Sequence, residues 1–229
     1  MEIYLVSVKS VLNLYEFDRK LRLHLAGALD IIEISLRGTI AYRFAMEHGS
    51  HGHLNPDNYT FKDNYKGDWK IVPIWAAIEV IPFGTLSVFL ASIKSNEDKK
   101  AISHFYKLPA LHLLPSITRH LAYTRNLCAH HSRLWNRHMR VPFTIPKFIM
   151  KQHCIKDENN QIIGDKKLYP TLLICDYLLK TIDPESQWSK KLNRLFAKHP
   201  HIDFQAMGFP TKREYASLSN PPINPYSEK

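Results

Sequence analysis

The longest regular hydrophobic pattern in this chain extends over residues 7–46, and it restricts the possible folds more than any other feature. Apolar side chains recur there at intervals of three and four residues, which places them on one face of an α-helix. These positions are Val8, Val11, Leu12, Tyr15, Leu21, Leu25, Leu29, Ile32, Leu36, Ile40 and Phe44. We therefore predict one long N-terminal helix, or two helices that meet near Gly27, at the start of an all-α fold.

Shorter helical patterns follow along the chain. The predicted helices comprise residues 71–80, 84–94, 97–106, 111 or 116 to 140, 168–181 and 183–198. Pro82 should separate the first two of these, since proline lacks an N–H group, and Asn96 should cap the third. The last should begin with Pro184 in its first turn. Residues 47–70 are polar and rich in turn-forming residues, which predicts a long surface loop.

The helical pattern weakens beyond residue 140, although residues 148–152 could form a turn. Residues 155–163 contain two apolar runs around a polar centre, which indicates a small β-hairpin. From residue 200 the chain is rich in Pro and polar residues, which is typical of a segment on the surface or without fixed structure. We assign residues 1–210 to one domain and residues 211–229 to a C-terminal tail, because the length suits one sizeable core.

Composition narrows the class of protein. The 31 Lys and Arg residues exceed the 21 Asp and Glu residues, and the net charge of +10 favours polyanionic partners, nucleic acid first among them. A basic protein without such a ligand is the alternative. Three cysteines without paired spacing favour a reducing compartment over a disulfide framework. No apolar run reaches the roughly 18 residues that a membrane span requires, so we predict a cytoplasmic protein.

Three histidines in the predicted loop raise the question of a metal site. His48, His51 and His53 are close in sequence, and imidazoles are common ligands of Zn and Ni. A cysteine or a fourth ligand at a recognisable spacing is missing, which favours a His-rich surface loop. We predict neither a metal nor another cofactor.

Groups that can perform chemistry concentrate in residues 119–137. Neither Gly nor Pro interrupts the stretch between Ser116 and Arg140, so most of it is predicted as one helix. Asn126 and His130 are then i, i+4 neighbours, and Arg133 lies one turn further on the same face. Arg125 is about 140° round the helix from His130. Only its long side chain, a helix irregularity or a second subunit could bring it to the imidazole.

This stretch also resembles a known family. The sequence Arg-Asn-Leu-Cys-Ala-His at 125–130 resembles the Arg-x4-6-His motif of the HEPN superfamily. The extension His-Ser-Arg-Leu-Trp-Asn-Arg at 131–137 is similar to the AbiD/AbiF-type branch, the Abi-like family, of bacterial abortive-infection proteins. Residues 14–22, 32–37 and 79–87 resemble further segments of that family. The resemblance implies an HEPN-like helical bundle.

The motif residues suit the cleavage of RNA. RNA carries its own nucleophile, the 2′-hydroxyl group, so an enzyme need supply only proton transfer and positive charge. His130 is the candidate for proton transfer because imidazole titrates near neutral pH. Arg125 is the candidate for stabilising charge at the phosphorus, because a guanidinium is always charged and donates two hydrogen bonds at once. Asn126 would hold the imidazole or bind a phosphate oxygen.

Other polar residues are candidates for RNA binding or for support of the site. They are His131, Arg133, Asn136, Arg137, Glu33 and Arg37. Glu33 and Arg37 form an i, i+4 pair, which is either a solvated ion pair or a partly buried pair that orients the catalytic helix. The wholly structural alternative is a basic helix with Arg125 and Arg133 in ion pairs and Trp135 in the core.

The resemblance implies a function and its partners. It implies a homodimer whose two motif helices form one composite cleft, which acts as a metal-independent endoribonuclease on host or phage RNA. The first alternative is a non-catalytic RNA-binding or regulatory protein that holds a structured non-coding RNA or a partner protein. The second is a HEPN toxin subunit that is controlled by an antitoxin, a partner nucleotidyltransferase.

Overall fold

The computed structural model describes residues 8–60, 72–152 and 166–210, and the part it describes is helical. The helices are α1 (Val8–His48), α2 (Ile74–Val80), α3 (Phe83–Ser92), α4 (Asn96–Phe105), α5 (Leu113–Ala129), α6 (Lys147–Gln152), α7 (Tyr169–Ile182) and α8 (Trp188–Ala197). Three short 3-10 turns comprise Gly52–Leu54, Pro56–Asn58 and Gln205–Met207. The described residues contain no strand, only an isolated bridge between Tyr59 and Ile93. The all-α prediction is confirmed.

The long helix α1 is the centre of the bundle. It is continuous through Gly27, and helices α2, α3, α4, α5, α7 and α8 all contact it. Leu21, Leu25, Leu29 and Ile32 are completely buried along its length. Burial of each such side chain contributes about 1.5–3 kcal/mol, whereas a helical glycine costs only about 1 kcal/mol. The helix therefore does not break at Gly27.

The N-terminal end of α1 is helical but exposed. Val8, Val11, Leu12 and Tyr15 share the helical period of the core residues, yet the described residues leave each of them more than half exposed. The buried stripe begins only at Phe17. The helix itself begins as predicted, but the other described helices do not cover this end of α1.

Two helix starts are different from those predicted. The N-cap of α4 is Ser95, whose hydroxyl accepts the N–H of Asp98 at 3.1 Å, so Asn96 is already helical. Helix α8 begins at Trp188 and not at residue 183. Asp183 instead accepts the N–H of Glu185 at 3.0 Å, which is a local turn that competes with the helix.

The surface segments are partly buried. The His-rich segment has a surface position at His51, but His53 is only 3% exposed, and His48 Nε2 lies 2.7 Å from Asp98 Oδ2. The described residues contain no group of three potential ligands that could hold a metal ion. Residues 200–210 are not a loose segment, since Met207 and Phe209 join the core.

The core is one cluster whose members range from Phe17 to Phe209. No helix in the described parts of the chain is both long enough and apolar enough to cross a membrane. The hairpin predicted at 155–163 and the tail predicted at 211–229 lie outside the described residues.

Candidate active site

The motif helix α5 ends earlier than its sequence predicts. It stops at Ala129, with His130 as the C-cap residue. His131 has a φ of 52°, its N–H donates to the carbonyl of Cys128 at 3.2 Å, and Ser132 N–H donates to the carbonyl of Leu127 at 2.9 Å. This pair of bonds is a Schellman motif, which usually has glycine in the left-handed position. Because histidine occupies that position here, the lack of Gly and Pro gave no sign of the helix end.

The early end changes which motif residues share a face. Asn126 and His130 remain one turn apart, since the N–H of His130 donates to the carbonyl of Asn126 at 2.9 Å, and both side chains are exposed. Arg133 lies in the segment after the helix, so the prediction that it shares their face is wrong. The imidazole of His130 is left at the tip of α5, open to solvent.

Two buried charges of α1 hold the segment that follows His130. Asp18 Oδ1 accepts the N–H groups of Leu134 at 2.9 Å and of Trp135 at 2.7 Å, and Asp18 Oδ2 pairs with Arg22. Asp18 and Arg22 are 4% and 7% exposed. Sequence reasoning assigned them no role. The available signal was their position beside Phe17 and at i, i+4 within an apolar stripe, where a solvated pair is not expected.

The remaining motif residues lie along this fixed segment. Asn136 has a φ of 50° and accepts a hydrogen bond from Lys167 Nζ at 2.7 Å, and Arg137 Nε donates to the carbonyl of Arg133 at 2.8 Å. The side chains of His131, Arg133 and Asn136 are exposed. Trp135 is half-buried against the core, and its Nε1 donates to the carbonyl of Asp203 at 3.0 Å.

Three helices meet at a charged network around Glu33. Glu33 Oε2 lies 3.6 Å from Arg125 Nε, and Glu33 Oε1 pairs with Arg37. Arg37 also donates to the backbone carbonyls of Ile78 and Glu79, at 3.1 Å for the second. The side chains of Glu33 and Arg37 are 14% and 17% exposed, so the pair is partly buried and not solvated. The network joins the motif arginine on α5 to both α1 and the end of α2.

The carboxylate of Glu33 holds the Arg125 guanidinium only loosely. Its Nε atom is buried, and the 3.6 Å distance to Glu33 is too long for a hydrogen bond. A buried donor without a partner is uncommon in folded proteins. The Arg125 side chain as a whole is 34% exposed, so a ligand can contact the side chain although Nε itself is covered.

An open groove of about 660 Å³ gives access to this network. Its lining includes Gly27, Asp30, Glu33, Arg37 and Arg125. Gly27 lies in the wall of the groove, and apart from the neighbouring backbone of α1 no described atom lies within 4 Å of the place where its Cβ would be. His130 is not among the described residues that line the groove. One chain thus presents Arg125 in the groove and His130 outside it.

A thiol also lines the groove, but its chemistry is suppressed. Cys128 is 7% exposed, and burial raises the pKa of its thiol to about 12. The reactive form of cysteine is the thiolate, so Cys128 is not suited to act as a nucleophile near neutral pH.

Comparison with known proteins identifies the family of the chain. No curated protein and no solved structure matches it. The sequence profile of the Abi-like protein family matches residues 3–68 and 60–136, which together are more than half of the chain. The matched residues include Glu33, Arg37, Arg125 and His130. The chain therefore belongs to the Abi-like protein family.

Proposed function

We propose that this protein is a metal-independent endoribonuclease of the abortive-infection type, and that its site is composed of Arg125 and His130 from two copies of the chain. Membership of the Abi-like family supports a role in abortive infection. The observation that carries the ribonuclease proposal is the position of Arg125, which lines an open groove, is 34% exposed and lies 3.6 Å from its nearest ion-pair partner, Glu33. The fork of N–H groups on a guanidinium matches the geometry of a phosphate group and can donate two hydrogen bonds to it.

The proposed reaction needs few groups. The 2′-oxygen of RNA forms a bond to phosphorus while the bond to the 5′-oxygen breaks, so one proton leaves the 2′-hydroxyl and another reaches the 5′-oxygen. The products are a 2′,3′-cyclic phosphate and a free 5′-hydroxyl. His130 performs proton transfer, for which typical contributions are about 10²–10⁴-fold in rate. Arg125 stabilises the charge on the phosphorane, and Asn126 holds the imidazole or a phosphate oxygen.

The separation of Arg125 from His130 supports the use of two copies. Because His130 does not line the groove of Arg125 in one chain, a two-fold pair can offer the imidazole of one copy to the arginine of the other.

Glu33 and Arg37 are positioning residues in this proposal. Glu33 attracts Arg125 across 3.6 Å, and Arg37 fixes Glu33 against α2. His131, Arg133, Asn136 and Arg137 bind the RNA beside the scissile bond, from the segment that Asp18 holds.

The test measures cleavage of labelled RNA in EDTA. Wild-type protein should give products that end in a 2′,3′-cyclic phosphate or a 3′-phosphate. Arg125→Ala and His130→Ala should each lower the rate by about 10²-fold or more. Arg119→Ala is the matched control, since it removes an exposed guanidinium from the same helix. Glu33→Gln retains an acceptor for Arg37 but removes the charge beside Arg125, so its loss should be smaller than that of Arg125→Ala.

Mixing the two inactive variants tests the composite site. A mixed pair contains one intact His130 and one intact Arg125 on different chains, so re-formed mixtures of Arg125→Ala and His130→Ala should regain part of the activity. A mixture without activity would contradict a site shared between chains. RNA that wild-type protein binds but never cleaves would contradict the enzyme and support the non-catalytic RNA-binding alternative.

A further inference from the structure

The cationic residues after the motif helix belong to a long part of the sequence that contains basic residues but no acidic ones. Neither Asp nor Glu occurs between Asp98 and Asp157, while Lys and Arg recur throughout. This stretch contains α5 and the whole segment that follows it to α6. Carboxylates in the same surface would cancel its positive potential, so the charge is not offset from within the stretch.

The fold brings a second, distant segment against this stretch. The N–H of Met139 donates to the carbonyl of Lys166 at 2.7 Å, and Lys167 Nζ donates to Asn136 Oδ1 at 2.7 Å. Lys166 and Lys167 thereby join the side of the bundle that carries Arg133, Arg137 and Arg140. We call these five residues the cationic surface.

The cations of this surface are available to a ligand. Among the described residues, no carboxylate lies within ion-pair distance of any of the five. Arg133, Arg140 and Lys166 are exposed, and Arg137 and Lys167 are half-exposed. Two acids contact the segment that carries Arg133 and Arg137, and both have other partners. Asp18 is buried with Arg22, and Asp203 Oδ1 accepts the N–H of Gln205 at 2.9 Å.

The backbone beneath the cationic surface is already ordered. Leu134 and Trp135 donate to Asp18, and the N–H of Arg140 lies 3.4 Å from the hydroxyl of Tyr123. A ligand therefore meets a surface whose backbone does not have to be ordered on binding, and pre-organisation of this kind favours affinity.

We propose that the cationic surface binds the phosphate backbone of single-stranded RNA next to His130, and that it does so without reading the bases. The choice of RNA rests on the proposed function. The evidence for the surface itself is the set of positive charges and the hydrogen bonds that join residues 133–140 to residues 166–167. Lys166, Lys167 and Arg140 extend the binding surface beyond the motif, and all three lie in a part of the chain that the family match does not reach.

The test is the salt dependence of binding, measured by fluorescence anisotropy with labelled single-stranded RNAs of several different sequences. All proteins carry His130→Ala so that the RNA stays intact. For single strands, the slope of log K against log salt becomes shallower by about 0.7 for each phosphate that the protein no longer neutralises. Arg140→Ala with Lys166→Ala should therefore flatten the slope by about 1.4. The fold is retained, because Lys166 contributes its backbone carbonyl and not its side chain.

Lys190→Ala with Lys191→Ala is the matched control, because it removes the same charge from exposed positions on α8. An equal change of slope in the control and in the test variant would overturn the proposal, as would an affinity of the parent His130→Ala protein that does not depend on salt. A binding loss that differs strongly between RNA sequences would also overturn it, since it would indicate base reading. The cleavage assay is separate. Salt-dependent binding without any cleavage leaves the cationic surface standing and removes the ribonuclease.

Discussion

The buried carboxylate of Asp18 is the position at which stability and the candidate site are most directly linked. It is the acceptor for two backbone N–H groups that stand 116 and 117 residues away in the chain, Leu134 and Trp135, and it is the ion-pair partner of Arg22. Asp18→Ala removes all three interactions at once. The segment after His130 then loses its attachment to α1, and the Arg22 guanidinium remains buried without its partner.

The size of the effect follows from these contacts. Loss of one partner from a buried ion pair costs about 3–5 kcal/mol, and each buried N–H group without an acceptor costs about 1–3 kcal/mol. These costs are not additive. Because Trp135 is half-buried, water can replace the lost acceptor of its N–H group and reduce the total cost. We expect Asp18→Ala to lower the free energy of unfolding by about 4 kcal/mol and the melting temperature by on the order of 10 °C.

Urea unfolding followed by circular dichroism measures this loss, with two variants for comparison. Asp18→Asn keeps an oxygen acceptor for Leu134 and Trp135 but not the charge beside Arg22, so its loss should be smaller than that of Asp18→Ala. Glu16→Ala is the control, because Glu16 pairs with Arg19 at 2.9 Å on the exposed side of the same helix. The control should unfold at the wild-type urea concentration.

The same variants show whether the segment after His130 depends on Asp18. Amide hydrogen exchange should accelerate at Leu134 and Trp135 in Asp18→Ala by more than the global loss of stability explains. If Asp18→Ala unfolds within about 1 kcal/mol of Glu16→Ala, the structure assigned to this buried pair is incorrect. Unchanged exchange at Leu134 and Trp135 would refute the attachment of the segment.

Other predictions concern buried and glycine positions. Burial lowers the pKa of His120 in the folded protein to about 4. Between pH 6.5 and pH 4 the unfolded chain therefore protonates this histidine while the folded protein does not. The free energy of unfolding should fall by about 3 kcal/mol as the pH decreases over that range. His120→Gln, followed by urea unfolding at several pH values, should remove that part of the pH dependence. Gly52→Ala should destabilise the protein by about 1–3 kcal/mol, because its Cβ would lie 2.2 Å from the Cβ of His48. Gly38→Ala should instead stabilise α1 by up to about 1 kcal/mol, since apart from the neighbouring backbone of α1 no described atom lies within 4 Å of its added methyl group. Thermal melts of both variants check the opposite signs.

Part of the candidate site could be predicted from the sequence. The motif identified Arg125 and His130, and the i, i+4 spacing of Glu33 and Arg37 correctly placed them together on α1. The meeting of Glu33 with Arg125 could not be predicted, because it depends on how α1 packs against α5 across 92 residues of chain, and no local period reports such a contact. The end of α5 was missed for a local reason. His131 adopts a left-handed conformation that sequence patterns assign to glycine.

By itself the sequence determined the fold class, the long helix α1, the family and the chemical types in the motif. These follow from interactions between residues three or four positions apart, or from residue identity, and both are readable along the chain. Only the tertiary structure decided which apolar positions are covered and which charges meet. It left Leu12 exposed while burying Leu21, and it placed Asp18 against the N–H of Leu134. The physical reason is that burial and long-range pairing depend on neighbours that are distant in the chain, so the same helical pattern can face either core or solvent.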